Sequence, residues 1–262
     1  MKIGDVAVLA CHEAGKELMV FFGRKLTAER KKDHTPVTVA DIASNNAITE
    51  FLLGVFPDHH ILSEEGNIKA GLKRGLNWII DPLDGTSNFM HGLPYFCVSI
   101  ACVEVADDGK VSVLAGAIYN PATDELYTAE KGKGAYFRGK RLEVSETTNL
   151  SKAFVACGYH GDDITKDYGK SYIDVSKKVE GSRRLGAAAL DLAKTAQGVF
   201  DLFFDPALRP WDIAAGSIMV QEAGGCAVNF PGNGERGDFC LLERGIVAGN
   251  KKMVTDAMGY FD

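Results

Sequence analysis

The chain has 262 residues, 46% of them hydrophobic and 24% charged, the balance of a soluble globular protein long enough to build a substantial core. Its 29 basic and 35 acidic side chains leave a net charge of -6 with no long block of either sign, which argues against a general binder of nucleic acid or of anionic membranes. No stretch approaches the roughly 18 consecutive apolar residues of a membrane span, and the apolar run Val6 to Cys11 falls short of the ~7 residues of a signal-peptide core.

In chain order, Ile3 to Phe22 reads as a helix, and Asp41 to Val55 as a second, with Ile48, Phe51, Leu52 and Val55 at helical spacing before Pro57. Trp78 to Ile80 has strand character. Tyr95 to Val105 and Val111 to Tyr119 are strands rich in β-branched and aromatic residues, parted by the turn Asp107-Asp-Gly109. Glu125 to Ala129 and Ala135 to Phe137 form a hairpin around Lys131-Gly-Lys-Gly134. Beyond it come a strand at Phe154 to Cys157, helices at Asp163 to Val179 and Leu185 to Ala196, and a strand at Val199 to Phe204. A helix opened by proline, Pro210 to Ala223, precedes strands at Ala227 to Phe230 and Gly245 to Ala248 and a closing helix, Lys251 to Tyr260. Helices and strands mix without regular βαβ alternation, which points to layered sheets with helices between and outside them. The expectation is one domain over 1–262, with subdomains at roughly 1–150 and 151–262 sharing a cleft.

Six cysteines, at 11, 97, 102, 157, 226 and 240, include no Cys-x-x-Cys pair and mostly sit among apolar neighbours. That pattern suits buried thiols in a reducing cytoplasm rather than a zinc site or a disulfide framework. His59, His60, His91 and His160 show no metal-ligand spacing, and no Gly-x-x-x-x-Gly-Lys-Ser/Thr loop is present.

The chemistry concentrates in Trp78-Ile-Ile-Asp-Pro-Leu-Asp-Gly-Thr-Ser-Asn-Phe89. Proline keeps Asp81 extended at the end of a strand, and Asp84-Gly85 is a turn signal. A strand end followed by a tight turn can aim Asp81, a carbonyl near Leu83, and Asp84 at one point, as a hard cation such as Mg²⁺ requires. Two aspartates capping amides in a surface turn would read the same way. Ser63-Glu-Glu-Gly66 puts Glu64 where a second strand ends. Asp212 follows Pro210 in the first turn of a helix, where an acid is favoured by the helix dipole in any case but is also rigidly held. Asp41, after Pro36-Val-Thr-Val-Ala, reads equally well as a helix cap and as a functional acid.

Taken together, Ser63-Glu-Glu-Gly66, the Asp81-Pro-Leu-Asp-Gly-Thr86 run, Trp211-Asp-Ile-Ala-Ala-Gly216 and Glu222-Ala-Gly-Gly225 resemble the motifs of the inositol monophosphatase family, in the family's order. Pro36 to Asp41 and Arg184 to Ala189 resemble its flanking segments, so the likeness spans nearly the whole chain. It implies a layered αβαβα sandwich of the α+β class, a homodimer, and a Mg²⁺-dependent, lithium-sensitive phosphomonoesterase holding two to three ions per subunit. By the same resemblance, Glu64, Asp81 and the Leu83 carbonyl bind a first ion, Asp81, Asp84 and Asp212 a second, and Glu64 a third. Thr86 and Asp41, with Glu64, act on the attacking water, while Gly85 and Thr86 hold the phosphate. Gly186, Ala187, Ala188 and Asp205, with Asp84 and Asp212, line the substrate.

The implied substrate is myo-inositol monophosphate or a similar polyol phosphate. Fructose 1,6-bisphosphate, histidinol phosphate and nucleotide 3′-phosphates are the alternatives within the family, and a non-catalytic regulatory protein of the same fold is the alternative outside it. Two departures bear on the alcohol: Asp205 stands where the inositol phosphatases usually have glutamate, and Ala187 where serine or threonine is common. Ser87-Asn88, where the nucleotide enzymes usually carry Lys-Glu, weighs against the nucleotide substrates. The short basic cluster Arg30-Lys-Lys32 reads as a phosphate-screening segment or a solvated loop.

Overall fold

The computed structural model describes residues 1–30, 36–66, 71–158, 168–231 and 239–261. Lys31, Lys32, His160 and the start of the helix expected from Asp163 lie outside them.

In chain order the elements are α1 (Ile3–Phe21), two short antiparallel paired strands, β1 (Glu29–Arg30) and β2 (Pro36–Val37), then α2 (Val39–Val55), β3 (His60–Ser63), β4 (Gly75–Asp84) and α3 (Thr86–Met90). There follow β5 (Cys97–Val105), β6 (Val111–Asn120), β7 (Glu125–Glu130), β8 (Gly134–Phe137), β9 (Lys140–Arg141), β10 (Phe154–Cys157), α4 (Tyr168–Ser176), β11 (Gly181–Arg183) and α5 (Ala188–Ala196). The chain closes with β12 (Leu202–Asp205), α6 (Pro210–Glu222), β13 (Cys226–Asn229), β14 (Ile246–Gly249) and α7 (Lys251–Ala257).

Strands β3 to β9 form a seven-stranded sheet in sequence order, and a five-stranded sheet runs β11-β10-β12-β14-β13. Three buried clusters stack these sheets into the expected αβαβα sandwich. Val6, Ala10 and Leu18 of α1 and Ile48 and Leu52 of α2 cover one face of the larger sheet at Trp78, Ile80, Val98 and Ile100. Its other face meets α5 and α6 through Ile79, Ala101 and Ile118 against Leu190, Leu192, Ile213 and Ile218, and the same helices reach Ala156, Phe203 and Ala248 of the smaller sheet. Val175, Met253 and Val254 close the far side of that sheet. Alternation along β4 explains the division, since its even and odd residues serve different layers.

Helix α2 begins two residues earlier than expected because Thr38 is its N-cap and Asp41 the third helical residue of a capping box. Helix α5 begins later than expected, since Gly186 is left-handed at φ 84° and Ala187, its N-cap, is extended. The strand expected from Val199 starts at Leu202 and runs to Asp205.

The largest difference lies in β4, which does not end at Asp81. It runs on through Pro82 to Asp84, and the turn comes only at Gly85, whose φ of 88° is left-handed. Asp81 pairs with Ser99 and Asp84 with Cys97, so β4 carries one residue more than β5 over this interval. Proline, which has no N–H for the ladder, falls inside that irregularity. Residues three apart in an unbroken strand face opposite sides; the extra residue resets the alternation. Asp81 and Asp84 therefore both face α5 and α6, while Leu83 packs with α1 and α2.

Candidate active site

The bulge is the centre of the site. Ser44 Oγ in α2 donates to the Pro82 carbonyl at 2.7 Å and so pins its outer side. Asp81 Oδ1 accepts from the Leu83 amide at 3.0 Å. Asp84 Oδ2 accepts from the Ala189 amide in the first turn of α5 at 2.7 Å, with the Cys97 thiol 3.6 Å away on the neighbouring strand. From α6, Asp212 turns Oδ2 to the Arg209 amide at 2.7 Å, the reciprocal half of a capping box behind Pro210. Glu64 follows β3, its amide bonded to the Ile80 carbonyl one strand away.

These acids feel one another. Burial raises the Asp81 carboxyl well above the usual carboxylate range, and the charges of Glu64, Asp84 and Asp212 raise it further. Burial, then Glu64 and Asp84, do the same to Asp212. Asp84 is pushed up to about 7 by burial, against the amide of Ala189 and with Glu64 adding to the rise. Among the described residues no three His, Cys, Asp or Glu side chains are already drawn into a closed ligand group. Asp81, Asp84 and Asp212 each turn one oxygen onto a backbone amide. What remains is a set of acids, Asp81 and Asp84 buried and Glu64 and Asp212 half-buried, that supplies only carboxylate oxygens, the donors a hard divalent cation takes, and whose mutual repulsion such a cation relieves.

Beside the acids, Thr86 Oγ1 lies 3.1 Å from Asp41 Oδ1 and 3.1 Å from the Leu83 carbonyl. Asp41 Oδ2 takes the amide and hydroxyl of Thr38 at 2.7 and 2.6 Å. The acid is thus a cap partner that also reaches the edge of the acid cluster, where it feels the charge of Glu64. Burial raises its carboxyl, opposed by the bonds from Thr38 and Thr86.

Gly186, Ala187 and Ala188 also come to this place. A Cβ on Gly85 would stand 3.1 Å from Ala187 Cβ and 3.3 Å from the Gly186 carbonyl, so the two glycine segments touch. Asp205, at the end of β12, is buried; Oδ1 accepts from the Ala207 amide at 2.9 Å, and its charge reaches Asp212 and Asp191.

The sequence reading missed Asp191, buried in α5 and receiving the Tyr95 hydroxyl at 2.5 Å, and the bond from Ser63 Oγ to Asn45 Oδ1 at 2.6 Å beside Glu64. An acid flanked by Leu190 and Leu192 was a signal in plain view for Asp191; Asn45, on a polar helical face, gave none. Of the histidines, His59 stacks on Phe56 and accepts from Trp78 Nε1 at 3.0 Å, and His91 lies against the Ser87 carbonyl.

The family model of the inositol monophosphatase family matches residues 2–259. The chain belongs to the inositol monophosphatase family. It is 38% identical to the inositol-1-monophosphatase of Rhizobium meliloti over 94% of this chain and 91% of the relative, and equally 38% identical to the Nus factor SuhB of Escherichia coli over 95% and 92%. Among solved structures, the extragenic suppressor protein suhB of Bartonella henselae superposes with a TM-score of 0.88 at 36% identity, covering 98% of this chain and 97% of that one. The IMPase of Thermotoga maritima gives 0.86 at 34% identity, covering 98% and 95%. The chain is therefore a phosphomonoesterase hydrolase of the α+β layered-sandwich fold.

Proposed function

We propose that this inositol monophosphatase family member hydrolyses the monophosphate of a small polyol, myo-inositol monophosphate first, by in-line attack of water on phosphorus. The observation that carries the reading is the bond between Thr86 and Asp41 at the edge of the acid cluster. A hydroxyl has one hydrogen. With that hydrogen directed to Asp41 Oδ1, Thr86 Oγ1 turns a lone pair to an incoming water, aligns it, and passes its proton on to Asp41. Asp41 keeps its orientation throughout because Thr38 holds its other oxygen.

Glu64, Asp81, Asp84, Asp212 and the Leu83 carbonyl hold two to three Mg²⁺ ions in this reading. When bound, they supply positive charge to the phosphate oxygens and lower the proton affinity of the attacking water. Gly85 and Thr86 present backbone amides to the phosphate. Gly186, Ala187, Ala188 and Asp205 face the alcohol. The bond from water oxygen to phosphorus forms as the bond to the alcohol oxygen breaks; the leaving alkoxide takes a proton from solvent water, and the proton given up by the attacking water, held on Asp41, returns to solvent. We take the enzyme to be a cytoplasmic, lithium-sensitive homodimer, each subunit one domain whose halves, about 1–150 and 151–262, share this cleft.

A panel of phosphate monoesters assayed with and without Mg²⁺ tests the reading. Highest kcat/KM on myo-inositol 1-phosphate supports it; preference for fructose 1,6-bisphosphate or histidinol phosphate moves the assignment to those alternatives. The equal identity to proteins named Nus factor SuhB favours a second reading, in which the fold acts without catalysis. Rescue of cells lacking the chain by an inactive Asp84→Asn protein supports that second role, and failure to rescue supports catalysis.

A further inference from the structure

Asn88 lies in α3 just behind the Gly85-Thr86 turn, and its side-chain nitrogen donates to two carbonyls at once, Tyr95 at 2.7 Å and Leu185 at 2.8 Å. A carboxamide nitrogen has two hydrogens, and both are engaged. Since each partner is a carbonyl, only the nitrogen can face them, which fixes the orientation of the amide. Leu185 immediately precedes Gly186 to Ala188. The side chain also lies along that segment: a Cβ on Gly186 would stand 3.5 Å from Asn88 Nδ2.

Tyr95 extends the arrangement. Its hydroxyl bonds Asp191 at 2.5 Å, and the Asp191 amide bonds the Ala187 carbonyl at 2.9 Å. Between these ties, the Ala189 amide holds Asp84. The stretch from Leu185 to Asp191 is thus strapped to the stretch from Asp84 to Tyr95 at three places. Asn88 is the strap at the leading end of the segment assigned to the alcohol, whose trailing end Asp84 holds through the amides of Ala188 and Ala189.

We propose that Asn88 is a positioning residue that sets the gap between the phosphate turn, Gly85-Thr86, and the alcohol-side segment, Gly186 to Ala188, and so governs recognition of the leaving alcohol. The inference rests on the phosphatase reading above. Asn88→Asp keeps the shape but has no N–H to offer and sets a carboxylate against two carbonyl oxygens. Asn88→Ser keeps one donor on a shorter arm.

The test measures kcat and KM on myo-inositol 1-phosphate and on the smaller glycerol 2-phosphate, competitive inhibition by inorganic phosphate, half-saturation by Mg²⁺, and Tm. In Asn88→Asp, KM for the inositol ester rises at least about tenfold and preference over the glycerol ester narrows, while phosphate inhibition and Mg²⁺ half-saturation stay within about twofold. A residue serving stability alone would lower Tm and the active fraction and leave KM where it was. A folded variant with wild-type KM, or one in which KM and phosphate inhibition weaken in parallel, overturns the inference. Should Asn88→Asp not fold, Asn88→Ser decides by the same readings, and failure of both to fold overturns it as well. A wild-type protein inactive on every ester overturns the phosphatase reading and this inference with it, whereas wild-type KM in a folded variant of an active enzyme overturns this inference alone.

Discussion

Thr86 and Asp41, 45 positions apart, meet through a hydrogen bond of 3.1 Å that joins the turn after β4 to the first turn of α2. Removing the hydroxyl in Thr86→Ala is expected to lower kcat by about 10² to 10⁴ with little change in KM, the range of a lost proton-transfer partner. Thr86→Ser, which keeps the hydroxyl, should restore most of the rate. Steady-state kinetics on myo-inositol 1-phosphate decide it: a raised KM at unchanged kcat would make Thr86 a substrate contact instead.

Asp84 links the site to pH. Burial lifts its carboxyl from 3.8 to about 7. A group whose folded pKa is raised favours folding fully below the unfolded value, and that contribution is lost as pH rises through the folded one. In EDTA, wild type should therefore lose Tm relative to Asp84→Asn as pH rises from about 4 to about 7, and Mg²⁺ should return most stability at the upper end. Scanning calorimetry of both proteins reads this directly, and a difference that does not change with pH contradicts it. The same variant should lose Mg²⁺-dependent phosphate release by more than about 100-fold.

His59 reports from the other end of β4. Its Nδ1 accepts from Trp78 Nε1, and burial lowers its pKa below the usual 6.5. A depressed folded pKa gives stability that is present above the unfolded value and lost as pH falls through the folded one. Protonation removes the acceptor, so Trp78 emission should shift in acid below that point. His59→Phe should abolish the shift; a shift that persists would assign it to Trp211, the other tryptophan.

Gly116 in β6 lies under α6, where a Cβ would stand 2.9 Å from the Ala215 Cα and 3.1 Å from its carbonyl oxygen. Backbone cannot yield as a flexible side chain does. Gly116→Ala should destabilise by about 1 to 3 kcal/mol, as overpacking does. Because α6 carries Asp212, it should also weaken Mg²⁺ half-saturation. Thermal denaturation and Mg²⁺ titration check the pair, and a loss of stability with unchanged Mg²⁺ dependence would uncouple them.

The acids stood out in the sequence because they sit where local rules act, but those rules left Asp81 and Asp84 readable as amide caps in a turn, and only the family motifs joined them to Glu64 and Asp212 as one set. Glu64 follows a strand end, Asp212 follows Pro210, and Asp41 precedes a helical pattern. Element order and the layered fold were readable for the same reason. The path of β4 past Asp81 was not, since a bulge depends on pairing with β5 and leaves only Pro82 as a local trace. The start of α5 was missed because Leu185 and Ala187 carry helical residue types while Gly186 adopts a left-handed backbone. Asp191 and Tyr95, or Asn88 and Leu185, meet across 96 and 97 positions, and no spacing rule reaches so far.

The amide of Ala189 and the carboxylate of Asp84 are 105 positions apart. Closing so long a loop comes late in folding, after local helices and hairpins have formed. A chain growing from its N-terminus completes both aspartates of β4 well before the helix that orients one of them exists. On refolding, the regain of phosphatase activity should therefore trail the regain of secondary structure, which makes catalysis a clock for the last long-range step of assembly.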